Sequence, residues 1–286
     1  MISDITLGQF FPGKSPIHRL DPRTKIILAT LFIISVFIAG NPVSFAFLTL
    51  TTIILIAVSG ISFRVIRKSI KPIVFILIFT AILNIFMTKG EGEPLVSFWV
   101  LNIYTEGIAR AVMMALRVTL LIVGTSILLT YTTSPISLTD GLEALLSPLK
   151  KIGLPVHTFA MMMSIALRFI PTLVEETEKI MNAQKSRGAD FTSGSLAQRA
   201  KALIPLLVPL FVSSFKRAEE LATAMECRCY RGDKNRTKLV KLEYKGLDFV
   251  FMGIFILLLG CLICLTVLSY NYPSFGIIYD ILFFKV

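Results

Sequence analysis

Five stretches of this chain are apolar for long enough to cross a lipid bilayer, and that constrains its fold more than any other feature. A helix needs roughly 20 apolar residues to pass the hydrocarbon core. Residues 24–40, 42–60, 70–87, 106–131 and 247–270 meet or approach that length with few ionisable side chains inside them. Backbone groups in hydrocarbon must find partners within their own segment, so such runs form helices. Only 16% of the 286 residues are charged and the mean hydropathy is +0.77, where soluble domains carry about 25% charged residues. The expected fold class is an all-α integral membrane protein with about five transmembrane helices.

The loops set an orientation. His18, Arg19, Arg23 and Lys25 flank the start of the first run, and Arg64, Arg67, Lys68 and Lys71 lie between the second and third. The turn at Asn41-Pro42 is uncharged, and residues 89–105 hold Lys89, Glu91 and Glu93. Cationic loops mark the cytoplasmic side, so the N-terminus is expected there. The fourth run returns the chain to the cytoplasm near Thr132, and the last leaves it after the basic stretch KNRTKLVKLEYK. The tail, 271–286, then falls outside or in the outer interface; its apolar stretch is too short to span, and its position stays open. The formal charge of +11 reads as this cytoplasmic excess of Lys and Arg rather than as a nucleic-acid surface. The first twenty residues lack an apolar core, so no signal peptide is expected.

The first three runs contain no Asp, Glu or His in their centres, and the fifth has only Asp248 at its edge. Cation-coupled carriers usually place such groups in the membrane, which counts against a self-contained channel or secondary carrier, the alternative reading. Arg110 and Arg117 intrude on the fourth run and share one helix face; Arg110 can reach the outer interface, while Arg117 is deeper and suits a structural role. The two histidines, His18 and His157, lack a triad or metal-ligand pattern, and no catalytic residue, metal site or enzyme activity is expected. Cys261 and Cys264 sit in an apolar helix, whereas Cys227 and Cys229 sit in a basic segment, so neither a disulfide framework nor a shared zinc site follows.

Residues 8–15, GQFFPGKS, match the phosphate-cradling pattern G-x-x-x-x-G-K-[ST]. That loop needs a buried strand before it and a helix beginning at its Lys-Ser end. Only seven residues precede Gly8, and Pro16 biases Ser15 away from helix, so the match is read as a polar turn.

Residues 132–246 form a second region between the N-terminal part, 1–131, and the last span with its tail, 247–286. A short amphipathic helix is expected over 138–151. Two long helices follow, over 156–187 and 196–228, the second capped by Ser193 or Ser195. Each has an apolar first half and a charged second half. Arg168 and Pro171 interrupt the first, and two prolines the second, so both are read as lying along the cytoplasmic interface with polar ends projecting. An added pair of crossings here would preserve the orientation of everything after it, so charge bias does not exclude it. The charged halves match at an offset of 41 residues: Glu178 with Glu219, Ala183 with Ala224, Arg187 with Arg228. A guanidinium at a helix C-terminus suits the dipole there, and two matched instances suggest equivalent docking points.

These features resemble the T component of energy-coupling factor (ECF) transporters, the membrane scaffold of bacterial vitamin and metal importers. The resemblance covers essentially the whole chain, including GQFFPGKSPIHRLDPRTKI at its start. The family's two Ala-Arg-Gly signatures correspond to Ser186-Arg187-Gly188 and Cys227-Arg228-Cys229, so the arginines are kept while the second Gly is a Cys. The resemblance implies a non-catalytic subunit of a bacterial cell membrane that bridges two cytoplasmic ABC ATPases and one substrate-binding membrane subunit. The ATPases would dock at Arg187 and Arg228 and bind the ATP, leaving this chain without a cofactor. The helix faces would pass ATP-driven movement to the substrate-binding subunit.

Overall fold

The computed structural model describes residues 10–87, 96–98, 101–189, 191, 195–230, 232 and 242–271. It divides into two compact units, one within residues 135–241 and one formed by 10–134 together with 242–286.

The larger unit is built around α1 (Pro22–Ile38). Asp21 caps it by accepting from the Arg23 N–H at 2.9 Å, and Pro22 stands at N1, where its missing N–H costs nothing. Leu28, Phe32 and Val36 of α1 are fully buried, packed among α5 (Thr105–Thr125) and α9 (Gly246–Asn271). Phe32 lies directly on Gly124 of α5, where a Cβ would come within 2.1 Å of the ring. α2 (Pro42–Ser59) opens with another N1 proline and ends at Gly60 in the left-handed region, φ +68°. α3 (Phe63–Ile70) and one 3-10 turn lead into α4 (Val74–Met87), which packs against α5 and buries none of its side chains. Val96–Phe98 and Leu101–Ile103 then pair as a two-strand antiparallel hairpin, β1 and β2. The hydropathy pattern gave no sign of it. α5 runs on into a π-helical turn, Ser126–Tyr131.

A polar cluster joins the starts of α1 and α9. The Asp248 carboxylate is fully buried and accepts from the backbone N–H of Asp21 at 2.9 Å and of Lys245 at 2.7 Å. Arg23 pairs with Asp21 at 3.0 Å and lies over the Tyr244 ring. Lys25 is buried and donates to the Thr132 carbonyl at 2.7 Å, just past the π-helical turn.

The smaller unit holds α6 (Pro135–Leu146), a 3-10 turn over Ser147–Ile152, α7 (Val156–Ser186) and α8 (Leu196–Cys227). α6 therefore begins before the expected residue 138 and turns 3-10 where Pro148 enters. His157 and Glu143 pair at 2.8 Å between α7 and α6. α8 is capped by Ser195, with Gln198 reaching back to complete a capping box.

Among the described residues five helices are long and apolar enough to cross a membrane, and the protein is a multi-pass membrane protein. Four of them fall on expected runs, at Pro42–Ser59, Phe63–Met87, Gly107–Tyr131 and Gly246–Val267. The fifth is Val156–Ser186, a helix expected to lie along the interface. Its 31 residues continue through Pro171, and Arg168 is exposed beside otherwise apolar turns. The run at 24–40 forms α1, 17 residues and about 25 Å at 1.5 Å per residue, with one face packed at the centre of its unit and Ile34 and Phe37 exposed on the other. The tail beyond Asn271 lies outside the described residues.

Candidate functional site: two matched helix termini

α7 and α8 end in the same way. After α7, the Gly188 N–H donates to the Lys185 carbonyl at 2.9 Å and the Ala189 N–H to the Gln184 carbonyl at 3.0 Å. After α8, the Cys229 N–H donates to the Glu226 carbonyl at 2.8 Å and the Tyr230 N–H to the Met225 carbonyl at 3.0 Å. Both are Schellman terminations, which satisfy the last helical carbonyls and require a left-handed residue after the cap. Gly188 fills that position with φ +87° and Cys229 with φ +58°. The Gly-to-Cys departure thus leaves the backbone of the second terminus unchanged and puts a side chain where glycine is preferred.

Arg187 and Arg228 are the two cap residues. Both are exposed, as are Ala183, Ser186 and Gly188 on the first terminus and Ala224, Cys227 and Cys229 on the second. Ser186 directs its hydroxyl back to the Asn182 carbonyl at 3.1 Å. Among the described residues neither guanidinium has an ion-pair partner. The helix ends thus hold two cationic forks outward on rigid supports.

Where α7 meets α8, Glu176 accepts from Arg217 at 2.7 Å and from the Ser213 hydroxyl. Glu176 and Arg217 are themselves related by the 41-residue offset. Equivalent positions thus meet directly where the two helices touch. Arg187 and Arg228 each follow by 11 residues, about 16 Å along the helix. Ile165, Phe169 and Leu173 of α7 line an apolar cleft with Ala218, Leu221 and Met225 of α8. The first half of α7 therefore faces the second half of α8, and the two C-terminal arms diverge. The pairing escaped the sequence pattern, although opposite charges at equivalent positions were the available signal.

The other candidates sit elsewhere. Gly8 and Gln9 lie outside the described residues; residues 10–15 form neither strand nor helix, and a turn follows at residues 16–19, so no strand-to-helix cradle forms there. Ser15 gives its hydroxyl to a hydrogen bond with His18 Nδ1 at 2.7 Å, and His18 Nε2 lies 2.9 Å from the Phe11 carbonyl. Gly13 packs so closely on the His18 ring that a Cβ would meet it at 2.7 Å. Arg117 donates to the Ala39 carbonyl at 2.8 Å and sits over the Phe45 ring, tying α5 to the α1–α2 turn. All four cysteines are free, and among the described residues no group of His, Cys, Asp or Glu could hold a metal ion.

Residues 13–239 match the family model CbiQ, described as "Cobalt transport protein". The chain belongs to the CbiQ family. It is also similar to proteins named "Energy-coupling factor transporter transmembrane protein EcfT". The one from Clostridium kluyveri is 53% identical over 269 residues, covering 94% of this chain and 98% of its own. Those from Thermosediminibacter oceani and Bacillus subtilis are each 51% identical, covering 86% and 87% of this chain and 91% and 93% of theirs. Both helix termini of this CbiQ-family chain lie inside the matched range. The T-component resemblance read from the Arg-centred signatures is thereby shown.

Proposed function

We propose that the chain is the coupling scaffold of an ECF-type importer, docking one ATPase on each helix terminus and passing their motion to a substrate-binding membrane subunit. The observation that carries this reading is the contact between Glu176 and Arg217, equivalent positions from which Arg187 and Arg228 project by the same 11 residues. Two equivalent grips suit two equivalent motors. The grips and the N-terminus stand on the cytoplasmic side, where ATP is available. The chain carries out no catalysis and binds no cofactor; the ATPases bind the nucleotide. The imported substrate, a vitamin or a metal ion, is selected by the membrane partner. The family model's wording points to cobalt transport and the relatives' names to an energy-coupling factor transporter.

The test is R187E/R228E in the assembled transporter. Losing one partner of a buried interfacial charge pair costs about 2–5 kcal/mol, and reversal costs more. The double variant should insert in the membrane, fail to retain ATPases in a pull-down and lose ATP-driven uptake, with each single variant intermediate. Retention of both ATPases by the double variant refutes the assignment.

A further inference from the structure

α3 carries a feature that the coupling role does not use. Arg64, Arg67, Lys68 and Lys71 recur at i, i+3, i+4 and i+7, the spacing of a single helix face. All four are exposed, and among the described residues none has an ion-pair partner. The opposite face is anchored. Ile66 is buried, Val65 and Ile70 pack against the core, and Ser69 hydrogen-bonds the Tyr131 hydroxyl. The cationic stripe is therefore held facing away from the protein on a fixed support.

Its neighbours say what it meets. α4 begins at Val74, three residues after Lys71, with Phe75 78% exposed and Ile76, Ile78 and Phe79 more than half exposed. In a membrane protein such a surface contacts lipid tails. Phe63, at the other end of α3, is 73% exposed. A cationic face that ends within one turn of a lipid-facing helix stands at headgroup level.

We propose that the α3 stripe is a binding site for anionic phospholipid. The two guanidinium forks and two ammonium groups hold headgroup phosphodiesters, and Phe63 enters the acyl boundary beside them. Phosphatidylglycerol satisfies the stripe, whereas a zwitterionic headgroup brings its own cation against it. A soluble acidic protein is the less suitable partner, because the helix that continues from the stripe is coated with apolar side chains. Each cation near an anionic surface contributes about fivefold to lipid affinity.

The experiment uses the full chain in bilayers of phosphatidylcholine and phosphatidylglycerol in equal parts. Photoreactive analogues of each lipid are cross-linked and mapped by mass spectrometry to the peptide containing residues 63–74. The expected result is a preference of at least fivefold for phosphatidylglycerol at this peptide. It falls to parity in R64Q/R67Q/K68Q/K71Q, falls partway in K68Q/K71Q, and persists in R64K/R67K. Parity in the wild-type chain overturns the proposal. So does a phosphatidylglycerol preference that survives in the four-glutamine variant. If that variant keeps its lipid preference but sheds co-purifying proteins, the stripe is a protein dock and the lipid assignment is refuted.

Discussion

Replacing Cys229 with Gly should tighten the second terminus, and the structure sets the size of the effect. Cys229 holds φ +58°, where a residue with a Cβ is strained by roughly 1–2 kcal/mol. Glycine removes that strain but gives the unfolded chain more freedom, an opposing cost of about 0.4–1 kcal/mol. The net expectation is about 0.8 kcal/mol of local stabilisation. The Cys229 and Tyr230 amides close the Schellman termination on Glu226 and Met225, so their hydrogen exchange reports fraying of this end directly. A gain of about 0.8 kcal/mol slows that exchange roughly fourfold, because RT is about 0.6 kcal/mol. The mirror change, Gly188→Ala, places a Cβ at φ +87° and should speed exchange at Gly188 and Ala189. Unchanged or faster exchange in C229G would show that the αL position is not the source of strain, and that the two termini differ in more than one side chain.

Three further changes probe the larger unit and the N-terminal turn. Gly124→Ala drives a methyl group into the Phe32 ring and should cost about 1–3 kcal/mol, seen as a lower melting temperature of the purified protein. Asp248→Asn keeps one acceptor where two buried backbone N–H groups need one each, and should cost about 1–3 kcal/mol in the same assay; an unchanged melting temperature would dismiss the cluster as a clamp. Lys14→Ala should leave ATP-driven uptake at the wild-type level, since Ser15 and Gly13 are already committed to His18; nucleotide cross-linking to the isolated chain that vanished in this variant would restore the phosphate-loop reading.

The helix ends were legible because their signals are local. Ser195 with Gln198 and the Arg187-Gly188 pair fix boundaries within one turn of the chain, and a single apolar run of 18 or more residues is its own evidence. What pattern could not show were contacts made across the sequence. Asp248 read as an edge residue of the last span, yet its partner Asp21 lies 227 positions away. The run at 24–40 was legible as a span but not as the packed centre of its unit, because hydropathy does not distinguish a face against lipid from a face against neighbouring helices. The proline in α7 was given too much weight. Flanking turns carry the helix through Pro171, while length and composition do not separate a helix that crosses from one that lies along the interface. The ion pair that organises the candidate site was hidden for a different reason. Glu176 and Arg217 are unremarkable until the 41-residue offset is applied to them as a pair.

On the proposed coupling role, the meeting point of α7 and α8 would act as a fulcrum. From Glu176 the rod runs 11 residues to Arg187 but 20 back to Val156, and from Arg217 it runs 11 to Arg228 but 21 back to Leu196. If the rods turn rigidly about that point, a push at either grip is delivered at the far end with nearly twice the travel and half the force. Pro171, Pro205 and Pro209 all lie in the longer limbs, so any give in this scissor-like linkage sits on the output side, and the input side stays stiff.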